Sequence, residues 1–302
     1  MSKSLREDLA AIWRVGVEGV NVERLIEEYL VVDGNRLIIG DQSLPLEEVQ
    51  KISVIGAGKA AANMAAAAER VLAKQVDAGL VAGWVNIPEG CERPSRVIRQ
   101  HAARPAGVNE PTEVGVFGTQ QMLDLVETGN RELTERGIPL SRHLVLCLIS
   151  GGGSALMPLP ANGVTLEQKQ AVTRFLSATG ATINEINTVR KQLSGVKGGR
   201  LKAFCSGTKL VGLILSDVLG DPLDVIASGP TVDNETTAED AMAVLEKYGF
   251  GHQTSDFGLQ EYLAKADPEA RNPKPATLSS ATTQRQSTRQ VLKRKNAAIR
   301  TR

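Results

Sequence analysis

The residues best suited to chemistry lie in a glycine-rich segment that directly follows the apolar run 144–149. This segment comprises Ser150, Gly151, Gly152, Gly153 and Ser154. Three consecutive glycines let the backbone curl and present N–H groups to an anion. An unbroken apolar run bounded by glycines is typical of a strand buried on both faces in a parallel sheet. Since ligands bind at the carboxyl ends of such strands, the segment predicts a phosphate site, with a flexible tight turn as the alternative.

A second glycine turn, GAGKAA at residues 56–61, follows the strand predicted over 51–55. It fits a relaxed Gly-x-Gly-x-x-Ala dinucleotide pattern, but Asp77 precedes the next strand instead of lying at its end, where an acid would bind the ribose. It also lacks the first glycine and the final hydroxyl residue of a P-loop. A lysine at a helix N-terminus does not stabilise the helix, because its positive charge lies at the positive end of the helix dipole. Lys59 is therefore predicted to hold a carboxylate or phosphate, and a solvated lysine is the alternative.

A third group of polar residues lies on one face of the helix predicted after the capping box of Thr182 and Glu185. Spacings of three or four residues place its members side by side: Asn187, Arg190, Lys191, Ser194 and Lys197. A charged helix face is usually just a solvated surface. Because no acid interrupts the row after Glu185, the row also suits a phosphate or carboxylate ligand.

Carboxylates follow the strand predicted over 209–215, with Asp217 near its end and Asp221 and Asp224 close behind. Such carboxylates could hold a hydrated Mg²⁺ or act as a base. They could equally be turn-forming residues in a loop that is rich in glycine and proline. The sequence leaves these two interpretations open.

The elements that must position these residues alternate between apolar strands, glycine turns and helices, which predicts an α/β fold with a parallel sheet covered by helices on both faces. The chain has 302 residues, 42% of them hydrophobic, and can bury a large core. Helices are predicted over 5–29 and a hairpin over 31–44. The proline-rich stretch 88–119 is predicted to be loop.

Composition excludes several classes of function. Aromatic residues make up only 3% of the chain, which disfavours a stacking platform for single-stranded nucleic acid. Three dispersed cysteines (Cys91, Cys147 and Cys205) predict reduced thiols in the cytoplasm, and no Cys/His cluster has zinc spacing. No secretory signal and no apolar run of roughly 18 residues is present, so no membrane association is expected. The oligomeric state is not defined by the sequence.

The last part of the chain has a different character. From Arg271 onward lie nine of the 35 basic residues and none of the 34 acidic ones, so an acidic body is followed by a basic end. Residues rich in Thr, Ser, Gln and Arg cannot bury enough apolar surface to fold independently. We therefore predict an α/β domain over 1–275 and a disordered basic tail over 276–302, which would bind nucleic acid only nonspecifically.

Four blocks taken together resemble the class II glycerate kinase (glycerate 2-kinase) family, some members of which carry an older hydroxypyruvate reductase label. The blocks are VIGAGKA at 54–60, LISGGGSAL at 148–156, EINTVRKQLSGVKGG at 185–199, and LILSDVLGD at 213–221 with VIASGPT at 225–231. The resemblance covers residues 5–275. It implies a Rossmann-like sheet and ATP-dependent phosphorylation of the 2-hydroxyl of D-glycerate with Mg²⁺.

The resemblance also implies roles for individual residues. Lys59 would contact glycerate or the transferring phosphate, and residues 150–154 would cradle the ATP phosphates. Arg190 and Lys197 would neutralise charge, which together with positioning is most of what phosphoryl transfer requires. Asp217 would serve magnesium or orient the hydroxyl, with Asp221 as a second metal ligand. An NAD(P)H-dependent hydroxypyruvate reductase and a non-catalytic nucleotide-binding fragment are the alternatives.

Two departures from the family pattern affect these expectations. Arg104-Pro105-Ala106 stands where the family commonly has a His-Pro-x-Pro-Asp/Asn segment. Family members also continue into a second domain with a Gly-Thr-Asp-Gly motif, which residues 277–302 do not resemble. The sequence therefore predicts weak or absent turnover, and a frameshift or an alternative C-terminus as the origin of the tail.

Overall fold

A computed structural model describes residues 4–19, 21–216, 218–250 and 262–264. The predicted tail over 276–302 and the domain boundary at residue 275 lie outside these ranges. Asp217, predicted as a catalytic and magnesium-binding carboxylate, also lies outside them.

The first strands form a small antiparallel sheet in the order β1–β2–β3. They are β1 (Leu30–Asp33), β2 (Arg36–Ile39) and β3 (Gln42–Pro45). The hairpin predicted over 31–44 is present, and the third strand extends it.

Five parallel strands form the main sheet in the order β6–β5–β4–β7–β8. They are β4 (Lys51–Ala57), β5 (Val81–Pro88), β6 (Ile98–Arg104), β7 (His143–Ile149) and β8 (Lys209–Ile214). The chain adds strands on one side of β4 and then returns to add β7 on the other. The carboxyl ends of β4 and β7 therefore flank the topological switch point, where ligands bind in open α/β sheets.

Helices flank both sheets and fill the connections between strands. They are α1 (Leu5–Glu18), α2 (Val22–Tyr29), α3 (Ala61–Val71), α4 (Ala73–Asp77), α5 (Glu113–Glu135), α6 (Gly153–Leu156), α7 (Leu166–Ala178), α8 (Ile183–Gln192), α9 (Arg200–Phe204) and α10 (Ala238–Lys247). Within the described ranges, no helix has the length and apolar character needed to cross a bilayer.

The apolar run in β7 is explained by burial on both faces of the sheet. Leu144, Leu146 and Leu148 pack into the cluster that contains the alanines of α3. The alternate residues Val145 and Cys147 pack into a second cluster, with side chains from α5. Side chains of a strand alternate between faces, so a strand between two helical layers needs apolar residues at every position. The predicted parallel sheet with helices on both faces is confirmed.

Strand β6 corrects the prediction of loop over residues 88–119. It carries Arg99, Gln100 and His101, so it lacks the apolar run that identifies the central strands. It forms the edge of the sheet and pairs only with β5, and edge strands tolerate polar side chains. The consequence for the site is that Arg104 ends a strand instead of lying in a loop.

His143 lies at the amino end of the sheet in a buried polar network. Its Nδ1 lies 2.7 Å from Asn130 Oδ1 and its Nε2 lies 2.8 Å from Ser53 Oγ. The Asn130 oxygen only accepts, so Nδ1 carries the proton and Nε2 accepts from the Ser53 hydroxyl. Burial, assisted by the Lys51 ammonium, lowers the pKa of His143 to about 4 from its ordinary 6.5.

This pKa makes folding stability depend on pH. The folded state keeps His143 neutral, whereas the unfolded chain protonates it below pH 6.5. Its contribution is therefore complete above pH 6.5 and is lost as pH falls toward 4, by about 3 kcal/mol in total. Denaturant unfolding across this range should show a steeper loss of stability for the wild-type chain than for His143→Gln. Equal slopes for the two proteins would contradict this assignment.

Candidate active site

Two glycine loops meet at the switch point between β4 and β7. The N–H of Lys59 donates to Gly151 O at 2.9 Å. The N–H of Ala60 donates to Ser150 Oγ at 3.0 Å, and the N–H of Ser150 donates to Ala57 O at 3.1 Å. Residues 56–60 and 150–154 therefore form one unit, here named the paired glycine loops.

Glycine is required at two positions of this unit. Gly58 has φ +146°, and a Cβ there would lie 2.1 Å from Ser150 Oγ. Gly152 has φ +83° and precedes α6 in a left-handed conformation. These conformations and this close approach are open to glycine and strongly disfavoured for other residues.

The loop after β7 contains two unpaired backbone hydrogen-bond donors among the described residues. The N–H groups of Gly151 and Gly152 have no acceptor among the residues that the structure describes. The Gly153 N–H is occupied, because it donates to Ser150 O at 3.1 Å. Unpaired N–H groups at a left-handed turn form a concavity that binds an anion.

Two cationic side chains lie beside these donors. A Cβ placed on Gly152 would lie 3.5 Å from Lys59 Cε and 3.4 Å from Arg104 Nη2. Lys59 is exposed, whereas Arg104 is buried and donates from Nη1 to Asn109 Oδ1 at 3.2 Å. Its Nε has no hydrogen-bond partner among the described residues, and burial lowers the pKa of Arg104. A buried guanidinium with an unpaired N–H is costly, and an anionic ligand would satisfy it.

Lys197 approaches the same loop from the other side. Its Nζ donates to Ser154 O at 3.0 Å and to Ala227 O at 3.2 Å. Ser154 Oγ lies 2.9 Å from Ser228 Oγ, which ties the loop to the segment after β8. Burial, followed by the charge of Arg190, lowers the pKa of Lys197 to about 7.

The predicted cationic row is only partly helical, because α8 ends at Gln192 and Lys197 lies in the turns that follow. The solvated-surface interpretation is wrong for this row, since Lys191 and Lys197 are 3% and 4% exposed. Lys191 forms an ion pair with Asp224 at 3.4 Å, so Arg190 and Lys197 are the cations that remain for a ligand.

Arg190 lines a pocket of about 160 Å³ that adjoins the paired glycine loops. Its guanidinium Nε donates to Thr173 Oγ1 at 3.4 Å, and burial lowers its pKa. The pocket is lined by Asn109, Glu110, Pro111, Gly152, Ser154, Ala155, Pro158, Lys169, Gln170, Thr173, Arg174, Arg190 and Lys197. The structure thus places Lys59 beside the loop 150–154, and the pocket joins that loop to Arg190 and Lys197.

Asp221 is not joined to this group. It lies in the turn after β8 with φ +52°, and its N–H donates to Val218 O at 3.2 Å. It has no hydrogen bond or ion pair to the paired glycine loops within the described ranges. Nor do the described residues contain a group of three or more His, Cys, Asp or Glu side chains arranged for a metal ion. A magnesium site does not require three such side chains, since the ion commonly binds one or two carboxylates together with substrate phosphates.

A family model described as a domain of unknown function, DUF4147, matches residues 8–263. The chain belongs to this family.

Several proteins that are similar in sequence to this chain are named as kinases. A protein of Danio rerio named glycerate kinase is 39% identical over 267 residues, covering 87% of this chain and 51% of the relative. A protein of Thermotoga maritima named D-glycerate 2-kinase is 40% identical over 247 residues, covering 82% and 52%. The chain therefore spans about half the length of the curated relatives it matches.

Two crystal structures share the fold. That of glycerate kinase from Thermotoga maritima superposes with a TM-score of 0.69 at 36% identity, covering 87% of this chain and 56% of that one. That of a protein from Pyrococcus horikoshii OT3 superposes with a TM-score of 0.71 at 33% identity, covering 86% and 55%. Both likenesses support the α/β fold, and the first also supports the resemblance drawn from the four sequence blocks.

Two residues of the site in this DUF4147 chain were not identified from the sequence. Arg104 was assigned to a loop, because β6 has no apolar run. Lys169 lies in the apolar stripe of α7 between Leu166 and Val172, three residues from each. A lysine within an apolar helix stripe is a signal that the sequence does contain. It indicates a functional residue, because lysine is almost never fully buried unless it is paired.

Proposed function

We propose that this protein takes part in ATP-dependent phosphorylation of D-glycerate at its 2-hydroxyl, giving 2-phosphoglycerate. The observation that carries the proposal is the convergence of the unpaired Gly151 and Gly152 N–H groups with Lys59 and Arg104 at the switch point. The names of the relatives, glycerate kinase and D-glycerate 2-kinase, support the same activity.

Each part of the site has a role in this proposal. The N–H groups of Gly151 and Gly152 bind the phosphate oxygens of ATP, with Arg104 donating from its Nη2, which lies beside Gly152. Lys59 is exposed and free to contact either glycerate or the transferring phosphoryl group. Arg190 and Lys197 add positive charge from the other side of the loop. Phosphoryl transfer needs chiefly alignment and charge stabilisation, and this arrangement supplies both.

The proposed reaction includes Mg²⁺, which would bind only a few protein ligands. Asp221, together with Asp217, would hold the ion, and phosphate oxygens would complete its coordination. When bound, the ion neutralises charge on the transferring phosphate. The protein's own contribution is to hold the nucleotide and the acid in place and to supply the remaining positive charge.

The domain organisation and compartment belong to the same proposal. Residues 1–275 would form the α/β domain, and residues 276–302 a basic tail. The three cysteines are free, and burial raises the pKa of both Cys147 and Cys205. Such inert thiols fit the reducing environment of the cytoplasm.

The test is a coupled assay of ADP release by the purified chain with ATP, Mg²⁺ and D-glycerate. Chromatography of the product should show 2-phosphoglycerate, because the 2-hydroxyl is the proposed acceptor. Formation of 3-phosphoglycerate would contradict the acceptor assignment. Oxidation of NADH with hydroxypyruvate, without ADP release, would instead favour a reductase.

A further inference from the structure

Four cationic side chains line the pocket beside the paired glycine loops, and three of them have no carboxylate partner among the described residues. Lys169 comes from α7, Arg190 from α8 and Lys197 from the turns after α8. None of them lies within ion-pair distance of a carboxylate among the described residues. The acid that lines the pocket, Glu110, is already held by Arg174 through two hydrogen bonds of 3.0 and 3.2 Å. The pocket therefore has an excess of positive charge.

Lys169 is the least expected member of this group. It is 7% exposed, and its Nζ donates to Leu193 O at 2.7 Å. Burial lowers its pKa well below the ordinary value, and the charges of Lys197, Arg200 and Arg190 lower it further. Removing an ammonium from water costs several kcal/mol unless a counter-charge accompanies it. A buried lysine among other cations indicates that an anion belongs in this pocket.

The size of the pocket indicates what kind of anion. Sites for drug-sized ligands typically occupy about 300–1,000 Å³. At about 160 Å³ this pocket is too small for a nucleotide and suits a ligand of a few heavy atoms. Its apolar lining includes Pro111, Ala155 and Pro158. Gly152 and Ser154 also line it, so an occupant lies next to the proposed phosphate loop.

We propose that this pocket binds the carboxylate of a small hydroxy acid, with Lys169 as an anion-binding residue beside Arg190 and Lys197. The inference rests on the proposed function, in which the acid is D-glycerate. With its carboxylate held by these cations, the acid presents its 2-hydroxyl to Gly152 and Ser154, where the phosphates of ATP are proposed to lie.

Acid binding at this pocket changes the protonation of the protein. Without a ligand, the facing cations Lys197, Arg190 and Arg200 disfavour a charge on Lys169. A carboxylate in the pocket favours the charged forms of both Lys169 and Lys197. Binding of the acid near pH 7 should therefore take up protons from the buffer.

The test uses the full 302-residue chain and isothermal titration calorimetry with D-glycerate, in imidazole and in Tris, whose ionisation enthalpies differ. The variant Lys169→Met removes the charge and keeps an unbranched side chain. Lys209→Met is the control, because Lys209 begins β8 at the opposite end of the sheet, where it pairs with Glu48. Thermal unfolding checks that each variant is folded. On the wild-type chain, nuclear Overhauser contacts from glycerate protons to the Ala155 methyl give a second measurement.

We expect the wild-type chain and Lys209→Met to bind glycerate with proton uptake. Lys169→Met should bind glycerate at least about tenfold more weakly, because it loses one hydrogen bond from a charged group. Its binding of glycerate should also take up fewer protons. The affinity for ATP should not change. Equal glycerate affinity of Lys169→Met and wild type would overturn the inference. Absence of nuclear Overhauser contacts between glycerate and Ala155 would also overturn it, and so would tighter binding of inorganic phosphate than of glycerate in this pocket. Phosphorylation of glycerate by a chain whose glycerate affinity is unchanged in Lys169→Met would overturn the inference alone. Binding of glycerate in this pocket without any binding of ATP would overturn only the proposed kinase function.

Discussion

In the proposed ATP-dependent phosphorylation of D-glycerate, Lys59→Met should lower kcat/KM by at least about a hundredfold, the usual loss when one preorganised charge at a reacting group is removed. The physical reason is its position, since the side chain lies beside Gly152 and is not engaged elsewhere among the described residues. Its charge is therefore available to the transferring phosphoryl group. The coupled assay of ADP release measures the effect.

Stability provides the first control for this variant. Lys59 is exposed, so its replacement should change the free energy of unfolding by no more than about 0.5 kcal/mol. Lys74→Met, on the exposed part of α4, should leave both activity and stability unchanged. Wild-type kcat/KM in Lys59→Met would show that the residue is a solvated lysine, which was the alternative interpretation of its position in the sequence.

Gly56→Ala should destabilise the fold by about 3 kcal/mol or more, because the new methyl group meets a neighbouring strand with no room to relax. Gly56 pairs with Leu148 in the register of β4 and β7, and its Cβ would lie 2.1 Å from Leu148 O. Relief requires the two central strands to separate. Denaturant unfolding followed by circular dichroism measures the change.

The matched control is the same substitution in an open place. Gly16 lies within α1, and a Cβ there would have no heavy atom within 4 Å apart from the neighbouring backbone of its own helix. Gly16→Ala should stabilise the helix by up to about 1 kcal/mol through helix propensity alone. If Gly56→Ala unfolded at the same denaturant concentration as the wild type, the close approach of β4 and β7 would be refuted.

The central part of the sheet was predictable because its physical cause is local in the sequence. Strand β7 is apolar at every position after His143, β4 is mostly apolar, and both are buried on both faces and lead into glycine turns. The capping boxes at Thr165 and Thr182 likewise mark the beginnings of α7 and α8. Strand β6 was missed because an edge strand needs no apolar run.

The candidate site was only partly predictable, because its members meet through tertiary contacts. Lys59 and the loop 150–154 follow strands, so topology alone places them together. Arg104 and Lys169 reach the site from β6 and α7, and their burial depends on packing that no local pattern reports. Lys197 was identified from the spacing of a helix that in fact ends at Gln192.

The two glycine loops are held to each other by backbone hydrogen bonds, so neither can shift without disturbing the other. A ligand that orders one loop leaves less conformational entropy for a second ligand to remove, which favours positive cooperativity between them. Thermodynamic linkage makes such coupling mutual: the factor by which a nucleotide strengthens acid binding equals the factor by which the acid strengthens nucleotide binding. We therefore expect the ligands of this site to bind as a synergistic pair, whichever of them arrives first.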